Sequence, residues 1–254
     1  MSDRLMLKIG GSVITDKGGD CAINHESLAS CAAAVAGSRV TGLVIVHGAG
    51  SCGHPEAKRF RLDRGVTAGH AEGITVTHQA VSHLNSEVVA ALRKEGMDAL
   101  GIHPLHVAFA DDGRLIAFES LHLKKMLMLG MVPVIHGDVV MDRSLGACIV
   151  SGDQLVRHLA PLLGINRVGL ATDVPGVLNG GVVVPAITPA SAGTLLIGSS
   201  THTDVTGGMK GKIHELLDLA RAGVGSEIFH VSRIPDFLAG RDCGGTKVSM
   251  KGEV

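Results

Sequence analysis

The chain has 254 residues, a formal charge of −1 and 45% hydrophobic residues, with no Trp and no Tyr. A near-neutral surface offers no basic field to nucleic acid or an anionic membrane, and so few rings leave no stacking platform for single strands. No apolar run reaches the length of a membrane span. What fits is one large α/β domain, or two intimately joined lobes, with an aliphatic core and a site built from amides, charge and shape.

The opening stretch MSDRLMLKIGGS enters a strand within four residues and carries no apolar signal region, so a cytoplasmic protein is expected. Cys21, Cys31, Cys52, Cys148 and Cys243 are scattered, without a C-x-x-C pair. They are expected to be free thiols in a reducing compartment, not a zinc site or a disulfide framework, and no metal-ligating residues are assigned.

In chain order, short apolar runs alternate with helical patterns. Residues 4–9 predict a strand, 24–36 a helix with Asn24 as N-cap, and 42–47 a second strand. A helix is expected from about Pro55 and a long one over 74–95, then strands at 99–103 and 132–136. A hairpin follows over 139–150, then a helix over 152–163 capped by Ser151, a strand at 167–171 and a hairpin around 179–181. A helix over 208–222 and strands at 227–231 and 245–249 complete the order. Strands alternating with helices predict a mainly parallel sheet covered on both faces. Gly-rich turns follow several strands, where open α/β sheets place their ligands.

One such turn, HGAGSCGH over 47–54, spells the dinucleotide pattern G-x-G-x-x-G. That fingerprint belongs after the first strand, with an acidic residue ending the second. Here it follows the second strand, and Glu56, Asp63 and Glu72 end no apolar run. A P-loop fails too, because Thr206 stands where its first Gly belongs and Ile213 follows Lys212. Gly-rich turns with dispersed lysines (Lys8, Lys17 and Lys212) remain, and these suit phosphoryl transfer, which needs amides and ammonium groups around the oxygens in flight. Lys58, Arg59, Arg61 and Arg64 read as a solvated helix face, with steering of an anionic substrate as the alternative, and His47 and His136 as core or turn histidines, with support of the site from behind as the alternative.

The stretches LKIGGSVITDK, VHGAGS-x-GH, GDVV, SGDQL, TDV-x-GV and TDVTGGM-x-GK, in that order, resemble the motifs of isopentenyl phosphate kinases of the amino acid kinase superfamily. The likeness runs from Leu7 to about Lys247. It implies an α/β fold, a three-layer αβα sandwich with a mainly parallel central sheet. It also implies an acceptor lobe over 1–150, a nucleotide lobe over 151–254, ATP and Mg2+ as cofactors, isopentenyl phosphate as substrate, and a homodimer. Carried over by position, Lys8, Gly10, Gly11 and Ser12 would contact the ATP phosphates, and Lys17 would stabilise the group in transfer. Ala49 and Gly50 would lie between donor and acceptor phosphates. His54 would hold the acceptor phosphate, Gly152 would meet the acceptor, and Asp153 would orient the lysines. Asp173, Gly208 and Lys212 would bind nucleotide. The chain departs from the family pattern at Cys52, where Phe is usual, at Pro175 in place of Asp, and in a short hairpin after Val177. A kinase for another small phosphate or phosphonate, such as fosfomycin, and a non-catalytic binding protein on the same fold are the rivals.

Overall fold

Alternation along the first strand decides what lies above and below the sheet. In β1 (Leu5–Ile9) every residue is buried. Leu5, Leu7 and Ile9 join one core and Met6 the other, because successive strand side chains leave opposite faces. Lys8 therefore shares the face of Met6.

The computed structural model describes residues 4–16, 21–67, 69, 71–194 and 208–251. After β1 come α1 (Gly11–Ile14), α2 (His25–Gly37), β2 (Leu43–His47), α3 (Gly50–Arg59), α4 (Glu72–Lys94), β3 (Ala99–Ile102), α5 (Pro104–Val107), β4 (Ala108–Asp111), β5 (Arg114–Phe118) and α6 (Leu121–Met128). Then follow β6 (Val132–His136), β7 (Asp138–Asp142), β8 (Gly146–Val150), α7 (Gly152–Leu163) and β9 (Arg167–Thr172). The last part holds β10 (Leu178–Asn179), β11 (Val182–Val183), β12 (Ala186–Ile187), α8 (Gly208–Arg221), β13 (Ser226–His230), α9 (Ile234–Leu238) and β14 (Thr246–Val248).

An eight-stranded sheet runs in the order β12-β14-β13-β9-β1-β2-β6-β3. β13, β9, β1, β2, β6 and β3 pair in parallel, and β14 runs antiparallel to β13. Leu28, Leu84 and Phe237 bring α2, α4 and α9 onto one face, while Leu123, Leu155 and Leu216 bring α6, α7 and α8 onto the other. The result is the expected αβα sandwich. Since β1 has β2 on one side and β9 on the other, the chain crosses over in both directions beside it, the arrangement that opens a crevice at the strand ends.

Local signals account for the elements that match. Asn24 accepts from the Ser27 amide at the start of α2, Ser151 accepts from the Gln154 amide at the start of α7, and Gly164 ends α7 in the left-handed conformation.

Three expectations need correction. The order read from the sequence assigns nothing between 104 and 131, yet a hairpin of β4 and β5 lies there. It turns on Asp112 and Gly113, both at positive φ, an Asp-Gly signal for such a turn. Second, the helix expected from Pro55 begins five residues earlier. Gly53 lets α3 close on α4 (a Cβ there would lie 2.7 Å from Val81), so tertiary packing carries the glycine stretch into helix and leaves Pro55 inside it. Third, Cys21 and Cys52 form a disulfide, whereas Cys31, Cys148 and Cys243 are buried free thiols as expected. A separation of 31 residues gave no pairing signal; the partners meet because the chain entering α2 passes the first turn of α3.

Candidate active site

Four helices, α1, α3, α7 and α8, begin with a glycine, and all four glycines (Gly11, Gly50, Gly152 and Gly208) line one cleft of about 890 Å³. It lies at the carboxyl ends of β1, β2, β6 and β9. Helix N-termini leave unpaired N–H groups and carry partial positive charge, so their convergence makes a basin for anions even before any side chain is counted.

The two loops after β1 and β2 are interlocked backbone to backbone. A Cβ on Gly11 would fall 2.3 Å from Gly50 N, and one on Gly50 would fall 2.1 Å from Thr15 Oγ1. Gly50 also sits at φ +52°, in the left-handed region. Thr15 ties the loops further: its hydroxyl donates to Gly11 O at 2.9 Å and accepts from the Ser51 amide at 3.0 Å. Among the described residues, the Ala49 and Gly50 amides have no acceptor.

Beneath the amides is a charged floor. Lys8 Nζ lies 3.1 Å from Asp153 Oδ1, and Lys212 Nζ lies 3.0 Å from Oδ2. All three side chains are buried to about nine-tenths or beyond. Burial pushes the Lys8 ammonium down to about 8, against the pull of Asp153. Burial works to raise Asp153, yet Lys212 and Lys8 outweigh it and hold the carboxyl well below the usual carboxylate range. Among the described residues, this floor sets two ammonium groups against one carboxylate at the base of the cleft, an arrangement suited to binding further oxygen anions.

Every described residue assigned from the sequence lines this cleft: Lys8, Gly10, Gly11 and Ser12 after β1; Ala49, Gly50 and His54 around the start of α3. Gly152 and Asp153 open α7, Asp173 follows β9, and Gly208 and Lys212 lie in α8. Lys17 lies outside the described residues. Thr15, Ser51 and Asp138 also line the cleft without having been assigned from the sequence, and Lys58 and Arg59, exposed as expected of a solvated face, reach its rim as well. A shared His-Gly ending on β2 and β6 was the available signal for the buried polar layer below, since His47 and His136 are register partners with stacked rings 5.6 Å apart.

The sequence matches the profile of the "Amino acid kinase family" over residues 3–230. The chain belongs to the amino acid kinase family. This amino acid kinase is 38% identical to the isopentenyl phosphate kinase of Methanothermobacter thermautotrophicus, over 97% of this chain and 99% of that protein. It is 39% identical to the isopentenyl phosphate kinase of Haloferax volcanii, over 94% and 96%. A crystal structure of an isopentenyl phosphate kinase superposes with a TM-score of 0.86 at 34% identity, covering 97% of this chain and all of the other.

Proposed function

We propose that this amino acid kinase transfers the terminal phosphoryl group of ATP to isopentenyl phosphate, giving isopentenyl diphosphate and ADP, in isoprenoid synthesis. The observation that carries this is the Lys8–Asp153–Lys212 cluster under a rim of helix-start amides. Phosphoryl transfer asks little covalent chemistry of a protein and much charge neutralisation, which this floor supplies. An acceptor monophosphate is already a nucleophile, so no general base is required; in-line placement is the protein's task.

The roles are those that the resemblance to isopentenyl phosphate kinases implies. Lys8 and the Gly10–Ser12 turn hold the donor phosphates, and Lys212 approaches them from α8. Lys17 stabilises the group in flight. Ala49 and Gly50 amides lie between donor and acceptor, His54 and Gly152 meet the acceptor phosphate, and Asp153 sets both lysines. Asp173 and Gly208 border the nucleotide. Residues 1–150 form the acceptor lobe and 151–254 the nucleotide lobe in this reading, with Lys8 and the Gly10–Ser12 turn reaching across to the donor phosphates and Gly152 to the acceptor. Ala57, Val81, Ile149 and Val150 line the cleft on the acceptor side, and this aliphatic wall favours a hydrocarbon tail over a polar antibiotic.

No group of three metal-ligating side chains exists among the described residues, and Asp153 is committed to two lysines. This fits Mg2+ carried on nucleotide phosphates and water, where it neutralises charge on the transferring group. No described helix is long and apolar enough to cross a membrane. A homodimer is supported by the edge strand β3, which among the described residues has a strand neighbour on one side only and exposes Leu100.

A coupled ADP-release assay with isopentenyl phosphate, dimethylallyl phosphate, geranyl phosphate and fosfomycin tests the assignment. Isopentenyl phosphate is expected to give the highest kcat/KM. Faster turnover of fosfomycin, or no ADP release with any acceptor, overturns it.

A further inference from the structure

The alternation of β2 sends His47 away from the face of Val44 and Val46, toward α4. There the ring is fully buried, and burial pushes it down to about 4, so the imidazole is neutral and carries one N–H. Asn85 decides which nitrogen carries it. The Asn85 Nδ2 amide donates to Val134 O at 3.3 Å and faces His47 Nε2 at 3.0 Å. A nitrogen that receives a donor must be the lone-pair nitrogen, so the proton is on Nδ1, which donates to Gly48 O at 3.0 Å. In a trans peptide the C=O and N–H point in opposite directions. With the Gly48 carbonyl drawn into the protein, the next N–H, that of Ala49, faces the cleft, where no described residue accepts from it. The neighbouring strand repeats the device: His136 Nδ1 lies 3.1 Å from Gly137 O, and its Nε2 lies 2.9 Å from His103 Nδ1.

We propose that His47 is a positioning residue: held in one tautomer by Asn85, it fixes the Gly48–Ala49 peptide so that the Ala49 N–H donates to the phosphoryl group in transfer. The inference rests on the phosphoryl-transfer reading above. Its energetic logic is that of an oxyanion hole, in which a donor aligned beforehand does not have to reorganise as charge develops.

Nitrogen-15 NMR of the full-length protein, with kinetics of the wild type and Asn85→Leu, is the test. The wild-type spectrum is expected to show His47 protonated on Nδ1, with the Ala49 amide proton moving downfield on addition of a non-hydrolysable ATP analogue. In Asn85→Leu that movement should shrink and kcat should fall about tenfold or more, with both KM values held within about twofold. A merely structural role would lower Tm and leave this split and the amide signature unmoved. An Nε2–H tautomer for wild-type His47, an Ala49 amide indifferent to nucleotide, or an unchanged kcat in Asn85→Leu overturns the proposal. If that variant does not fold, the two wild-type spectral measurements decide it. Absence of wild-type turnover with isopentenyl phosphate counts against the reaction, and the tautomer and amide shifts still judge the positioning.

Discussion

Lys8 and Lys212 meet on the same carboxylate oxygen, Oδ1 of Asp153, each at 3.1 Å. One ammonium comes from the first strand and the other from a helix near the far end of the chain. A shared counter-ion keeps them close together, so that in the proposed reaction both would act on one cluster of phosphate oxygens.

The lowered Lys8 value sets an alkaline limit. In the free enzyme Lys8 loses its proton near pH 8, so kcat/KM for ATP is expected to fall above that pH. Bound phosphates favour the ammonium, so the limb in kcat should lie at higher pH. Folding moves the other way: between 8 and 10.5 the unfolded chain binds the extra proton, and stability gains with rising pH. Lys8→Arg should remove the alkaline limb; a limb that persists in that variant reassigns it.

Asp153→Asn keeps the shape and deletes the counter-charge. Two buried ammonium groups then face each other without that carboxylate between them, and a loss of about 3–5 kcal/mol in urea unfolding is expected. The kcat should fall with it. Full stability in the variant would mean the lysines relax into solvent at little cost.

Gly11→Ala tests the interlocked loops. Its methyl carbon would enter the space 2.3 Å from Gly50 N, and backbone must shift to admit it. Displacing the amide rim by about an ångström is expected to cost roughly 100-fold in kcat/KM, measured by ADP release. A variant with near wild-type turnover would show that the amides on that rim do not need this registry.

Asp142 is a stability site away from the cleft. Its carboxylate accepts from the amides of Asp112, Gly113, Ser144 and Leu145, joining two hairpin turns. Burial works to raise this group, but the Leu145, Gly113 and Ser144 amides prevail and hold it below 3.8. Asp142→Ala should therefore cost about 2–3 kcal/mol at neutral pH. In the wild type this contribution should be present above 3.8 and fade as pH drops further, which acid titration of the unfolding midpoint can follow.

The disulfide has a direct chemical check. Thiol titration of the unfolded, unreduced protein should find Cys31, Cys148 and Cys243 only, and reduction should add Cys21 and Cys52. Five reactive thiols before reduction would remove the bond.

Much of this protein is determined by its sequence alone, because the deciding forces are local. Apolar runs one strand long fixed β1, β2 and β6; Asn24 and Ser151 marked helix starts by offering an oxygen to orphan amides. Glycines after strands marked where backbone can approach phosphate, and the described residues so marked lie in one cleft. Tertiary structure alone decided the rest. Nothing near Pro55 says that Gly53 must pack against Val81, nothing near Cys21 names Cys52, and a histidine at the end of a strand does not disclose that Asn85 will choose its tautomer. Those outcomes depend on which side chains meet after the chain has crossed the sheet, and sequence periodicity carries the face of an element but not its neighbour.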